Sequence, residues 1–263
     1  DFEPQIGRQP AAGVLATLFR KHDIANAVCR NHVEILDLLI GSTDKLRSEV
    51  AFQLSIPQDC HLIWMSAPER VEKLLAVGRI MAEDPKKLEL TVCLDYLGTV
   101  WNMSCADIDR DPNVEERSRA LGPIWIPAIV NCLNFDHASS HVGVFERGWT
   151  ALMHLTNCED NAKIVASSLS KISPLYPVKY ASVCKMAWLV VDKVLKHCTV
   201  NEAEAFTSTV FYKISQQRLA LRDCLAIADL RVMSCMKKLA EVVPKALVQT
   251  GLFGFSNNEA GGF

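Results

Sequence analysis

Apolar residues recur at helical spacing along almost the whole chain, and this periodicity limits the fold more than any other feature. The segments VLATLF, VEILDLLI, VEKLLAVGRIM, LELTVCLDYLGTVWNM, WTALMHL, MAWLVVDKVL and LAIADLRVMSCMKKL place apolar side chains at i, i+3, i+4 and i+7. Alternating strand patterns closed by Asn-Gly or Asp-Gly are missing, so β-hairpins are not expected. Polar or proline-containing turns separate the runs: Gly41-Ser42-Thr43-Asp44, Asp84-Pro85, Asp111-Pro112-Asn113, Asn134-Phe135-Asp136, Ser173-Pro174 and Tyr176-Pro177. The pattern predicts an all-α protein of roughly a dozen or more helices.

Composition narrows the class further. Half of the 263 residues (49%) are apolar, enough for a large core. Charged residues at 22% exclude a mainly disordered chain. Apolar runs such as Met186–Val191 are far shorter than the ~20 residues a transmembrane helix needs, so no membrane span is expected. Residues 1–120 carry a balance of −5 and residues 121–263 a balance of +3, within a net charge of −2. That mild polarity gives no electrostatic basis for broad nucleic-acid binding. Ten cysteines occur without a C-x-x-C pair, most among apolar neighbours, as in TVCLDYL and SVCKMAW. They read as reduced, buried small hydrophobes of an intracellular protein, cytoplasmic or nuclear. The chain begins at Asp1, which reads as a fragment of something longer.

The helical runs repeat. Residues 11–40 read AAGVLATLFRKHDIANAVCRNHVEILDLLI: a helix, a polar turn, an Asn, and a second helix ending in a leucine run. Residues 97–133 and 148–169 give further versions, with weaker copies near Val50, Cys184 and Arg222. Spacings of ~35 to ~50 residues are compatible with armadillo or HEAT units. The expected organisation is one helical repeat domain over residues 1–250. A Gly- and Phe-rich tail, GLFGFSNNEAGGF, follows over residues 251–263.

GWTALMHLTNCEDNAKIV and AAGVLATLFRKHDIANAV resemble the second-to-third helix region of armadillo repeats, in which a polar turn, an Asn and then I/V follow an A-L-x-N-L run. The resemblance implies an armadillo/HEAT-like α-solenoid, expected as a continuous right-handed superhelix. It also implies a concave groove lined by Asn side chains that bond peptide backbone. The groove position holds Asn102, and by the same alignment Thr17, Gln53 and His154. A narrower resemblance joins Trp101-Asn102-Met103-Ser104 and the LMHLTNCED helix to the armadillo-type domain of Zyg/Zer proteins. These are substrate receptors of cullin-RING ubiquitin ligases that bind N-terminal glycine peptides. Trp101 and Asn102 match that family's W-N-L-T-D motif. Its Asp falls on Cys105, and the Asn and Glu of its second motif fall on His154 and Asn157.

Motifs for catalysis are missing. The chain has no G-x-x-x-x-G-K-[ST], G-x-G-x-x-G, G-x-S-x-G or H-E-x-x-H, so no enzyme and no cofactor are expected. Asp107, Asp109 and Asp111 imitate the start of a calcium loop. Pro112 stands where Gly must turn the chain, and Ser118 where a bidentate Glu is needed, so a solvated acidic loop is expected. Cys132, His137, His141 and Cys158 lack zinc-site spacing, and no metal is assigned. Trp64, Trp125, Trp149 and Trp188 read as core, while Trp101, beside Asn102, divides evenly between core and groove.

The function expected is a non-enzymatic scaffold holding an extended peptide or protein segment in a concave groove. The candidate peptide-binding residues are Trp101, Asn102 and His154, with Gln53 and Asn157 as weaker members. Side-chain amides bond both N–H and C=O of an extended chain, and indole rings supply apolar walls. The alternatives are a ubiquitin-ligase substrate receptor and a dimerising structural solenoid, so a homodimer stays open.

Overall fold

In a computed structural model, residues 8–105, 111–134, 141–169, 171–172 and 181–197 are described. Eleven α-helices and one 3₁₀ turn account for most of them, with no strand among the described residues. The helices are α1 (Arg8–Leu18), α2 (His22–Asn31), α3 (Val33–Leu39), α4 (Lys45–Ser55), α5 (Cys60–Met65) and α6 (Pro68–Glu83). After the 3₁₀ turn Pro85–Lys87 come α7 (Leu90–Ser104), α8 (Val114–Leu133), α9 (Val142–Leu155), α10 (Glu159–Leu169) and α11 (Ala181–His197). The expected all-α class therefore holds over this part of the chain.

Local chemistry explains the boundaries. Gly41 takes φ +80° in the turn between α3 and α4, a conformation that favours glycine. Asp44 then caps α4, its Oδ1 accepting from the N–H groups of Leu46 (3.1 Å) and Arg47 (3.0 Å). Pro68 opens α6 at a position where a missing N–H costs nothing. Helix α8 carries Pro123 and Pro127 in its interior. Their missing N–H groups leave the carbonyls of Arg119 and Pro123 without a helical donor, and both of those residues lie on the exposed flank.

Packing follows a regular order. Helices α1, α4, α7, α9 and α11 form one row, each against the next, and α2, α5, α6, α8 and α10 form a second. The rows meet through α7 and α9 against α8, and α11 against α10. One continuous apolar cluster, from Ala16 to Val194, fills the seam. Trp64, Trp125 and Trp149 are buried in it, as the sequence predicts, and Tyr96 stacks on Trp125 at 6.3 Å between ring centroids. The side chain of Trp188 lies outside the described residues.

Two buried polar devices tie the second row to the first. Asn161, the Asn of NCEDNAKIV, is 0% exposed. Its Nδ2 donates to the carbonyls of Ser118 (2.7 Å) and Leu155 (3.1 Å), linking α10 to α8 and to the end of α9. Gly122 faces it with no room for a side chain, since a Cβ there would stand 1.9 Å from Asn161 Oδ1. Arg117 on α8 donates from Nε to the carbonyl of Met103 at 2.6 Å, fixing α8 to the end of α7. Its Nη2 lies 2.6 Å from Asp111 Oδ2, and both side chains are buried. Asp111 therefore differs from the solvated acidic loop expected of it: a guanidinium six residues on compensates its charge. Asp107, Asp109, His137 and the 251–263 tail lie outside the described residues.

Candidate functional site

The C-terminal ends of α4, α7 and α9 and the last turns of α11 lie side by side, and all five candidate residues sit on this edge. At its α4 end, Gln53 is buried (8% exposed). Half-buried Asn102 donates from Nδ2 to Ser55 Oγ at 3.0 Å. The Ser55 hydroxyl passes its own proton back to the Phe52 carbonyl at 2.7 Å, as a hydroxyl near a helix end commonly does. His61 of α5 closes the network, with Nε2 2.8 Å from the Ser55 carbonyl. A carbonyl only accepts, so Nε2 carries the proton. Burial, with the charge of Arg117 adding to it, pushes the His61 pKa down to about 4. The amide nitrogen of Asn102 is thus spent inside the fold. Its carbonyl oxygen has no partner among the described residues.

The centre of the edge belongs to α7. Trp101 is half-buried and packs against the core. One turn further on stands Cys105, the exposed residue that ends the helix. At the far end stand half-buried His154 and exposed Asn157, and between them and Cys105 enters Lys193 of α11. Its Nζ donates to the Met153 carbonyl (2.8 Å) and to Asn157 Oδ1 (2.5 Å). The Met153 carbonyl lies in the last turn of α9, where a cation also meets the negative end of the helix dipole.

The electrostatics of this corner are one-sided. Burial lowers the His154 pKa to about 4, and the Lys193 charge adds to the effect, so the imidazole is neutral at neutral pH. Burial, with Lys196 nearby, lowers Lys193 to about 8, against the pull of Asp192 and Cys105. The ammonium is therefore still mostly charged at neutral pH, and its charge acts on both Cys105 and His154. Trp101, His154 and Asn157 are brought together through Cys105 and Lys193. Gln53 and Asn102 belong to the neighbouring α4–α7 seam. Lys193 and Ser55 were not among the candidates. One signal for Lys193 was present: a lysine placed inside the apolar run MAWLVVDKVL must find carbonyl or carboxylate partners or reach solvent.

Among the described residues no group of three or more His, Cys, Asp or Glu could hold a metal ion, and no helix is long and apolar enough to cross a membrane. No family model matches the chain. No curated protein and no solved structure matches it either.

Proposed function

We propose that this chain is a non-enzymatic interaction module, an armadillo/HEAT-like α-solenoid that holds an extended peptide segment along the edge formed by α7, α9 and α11. The repeated sequence pattern and the stacking of the helices in two rows support the solenoid reading. One observation carries the site: the Lys193 ammonium is held by Met153 and Asn157, and its charge acts on Cys105, one helical turn after the half-buried Trp101. A fixed cation next to an apolar wall suits a segment with a carboxylate and a neighbouring apolar side chain.

The same corner opposes the amino-terminal recognition implied by the Zyg/Zer resemblance. A peptide α-ammonium would meet Lys193 and find Cys105 where that family has a carboxylate, so like charges would face each other across a partly desolvated site. The test is selection from a random-peptide phage library against the purified chain, followed by affinity measurements on synthetic hits. Acidic internal motifs are the expected outcome. Their affinity should fall on Lys193→Gln and on Trp101→Ala, each by roughly 1–3 kcal/mol. Enrichment of free amino-terminal glycines, or acidic hits indifferent to both substitutions, would overturn the reading.

A second reading has its own observation. Val14 and Leu18, one turn apart on α1, are 58% and 42% exposed. This apolar strip favours pairing of two chains through α1, and a monomeric mass by light scattering would remove that reading.

A further inference from the structure

We propose that Cys93 and Cys132 form a reversible modification site, a dithiol that hydrogen peroxide converts to a disulfide between α7 and α8. Cys93 lies in the first turns of α7 and Cys132 near the end of α8, and the two helices pack together. Both cysteines line one small cavity, walled otherwise by Pro85, Leu88, Leu90 and Val144. Its volume is about 10 Å³, room for a single guest of roughly water size. Cys93 and Cys132 are 4% and 3% exposed, so a narrow opening to solvent remains, whereas Cys29 and Cys60 are 0% exposed.

The wall chemistry disfavours other uses of this space. A resident water needs two to four polar partners. The wall offers two thiols, which are weak donors and acceptors, and the Pro85 carbonyl, which Cys93 Sγ already approaches at 3.7 Å. A structural zinc ion needs four ligands, and no third His, Cys, Asp or Glu joins the pair among the described residues. Two neighbouring thiols can instead give up their hydrogens for a bond to each other. The disulfide is neutral, so no charge is left in the apolar wall.

The pair also divides the roles. Each thiol is the largest influence on the other's ionisation: Cys132 lowers the Cys93 pKa against the effect of burial, and Cys93 together with burial raises Cys132. Cys93 therefore loses its proton first and is the nucleophile. Its thiolate attacks one oxygen of the peroxide, the O–O bond breaks, hydroxide leaves with the electron pair, and Cys93 becomes a sulfenic acid. The Cys132 sulfur then attacks the Cys93 sulfur, the S–O bond breaks, and water leaves with the Cys132 proton. Two thiols and one peroxide give one disulfide and two waters, the sulfurs being oxidised and the peroxide oxygens reduced.

The test uses the full chain, reduced and then freed of reductant, with hydrogen peroxide as the probe. Remaining thiols are blocked with iodoacetamide, and peptides are mapped without reduction. The expected product joins the Cys93 and Cys132 peptides with loss of two hydrogens and reverts with dithiothreitol. It should form ~tenfold or more faster than any Cys29–Cys60 link, because access to the thiol governs its rate. Cys29 is fully buried, so its alkylation reports unfolding in the same samples. In Cys132→Ala, peroxide should leave a dimedone-reactive sulfenic acid on Cys93, and in Cys93→Ala, Cys132 should stay a thiol. Three results would each overturn the proposal: Cys93 and Cys132 recovered as thiols after exposed Cys105 has oxidised, a link that forms only as Cys29 becomes alkylated, or dimedone on Cys132 in place of Cys93. The first two are read on the unsubstituted chain, so they decide the matter even where a variant fails to fold.

Discussion

Replacing Gly122 by alanine should destabilise the protein, and removing the Asn161 side chain should abolish that penalty. The new methyl carbon would stand 1.9 Å from Asn161 Oδ1, 2.3 Å from its Cγ and 2.5 Å from its Nδ2. Restoring normal contact requires the carboxamide to retreat by about 1.5 Å. Its bonds to Ser118 and Leu155, at 2.7 and 3.1 Å, do not survive that shift. Two buried carbonyls then lose a donor at ~1 kcal/mol each, and the overpacked seam adds ~1–2 kcal/mol. Alanine's better helix propensity returns ~1 kcal/mol, leaving a net loss of about 2–3 kcal/mol. Asn161→Ala alone should cost a similar amount. In that background Gly122→Ala meets no carboxamide, so it should be neutral or stabilising by up to ~1 kcal/mol. The coupling between the sites is therefore about 3 kcal/mol, read from urea unfolding of the four proteins by circular dichroism. Equal Gly122→Ala penalties in both backgrounds would refute the claim that this glycine exists to seat Asn161.

Three further outcomes are expected. Acidification from near neutral to about pH 5 should lower the melting midpoint: His61 and His154, at about 4 in the fold, give up stability as pH falls through the range between their unfolded value and about 4. Asp95, raised by burial to about 6, works the other way over part of that range, so a midpoint that rises on acidification would show that the carboxyl dominates. Trp125→Ala, at a fully buried site, should cost ~3–5 kcal/mol of stability in urea titrations. Half-buried Trp101→Ala should cost clearly less while removing peptide affinity, and the reverse ranking would make Trp101 a core residue. Asp111→Asn leaves the buried guanidinium of Arg117 uncompensated and should cost ~3–5 kcal/mol, whereas an unchanged midpoint would mean that the pair stands open to water.

The helices were legible because period and turn chemistry agreed. Asp44 and the apolar run of α7 mark their elements without tertiary information. Trp64, Trp125 and Trp149 were placed in the core correctly because an indole on a strongly apolar helix has few alternatives. The edge was legible in part. Trp101 and His154 lie at or beside the position that the sequence reading aligned between helix units, and Asn157 follows His154 by three residues, past the end of α9. Lys193 was hidden, because nothing local shows that α11 aims an ammonium at the last turn of α9. Asn102 resembled a free groove amide, yet its nitrogen is committed to Ser55, forty-seven positions earlier in the chain. Arg117 and Asp111 were invisible as a pair, since spacing cannot tell a buried salt bridge from two surface charges.

The order of contacts in the two rows has a mechanical consequence. Each helix leans substantially only on near neighbours in the stack, and α1–α3 share no extensive interface with α8–α11. Among the described residues no strut joins the two ends, so over that part of the chain the distance between them follows from the tilts at the successive helix interfaces in between. A fraction of a degree at each interface accumulates along the row, while every individual contact stays close to its resting geometry. A stack of the described helices with this order of contacts is expected to be stiffer across its width than along its length, with a load at its two ends shared among the seams between them.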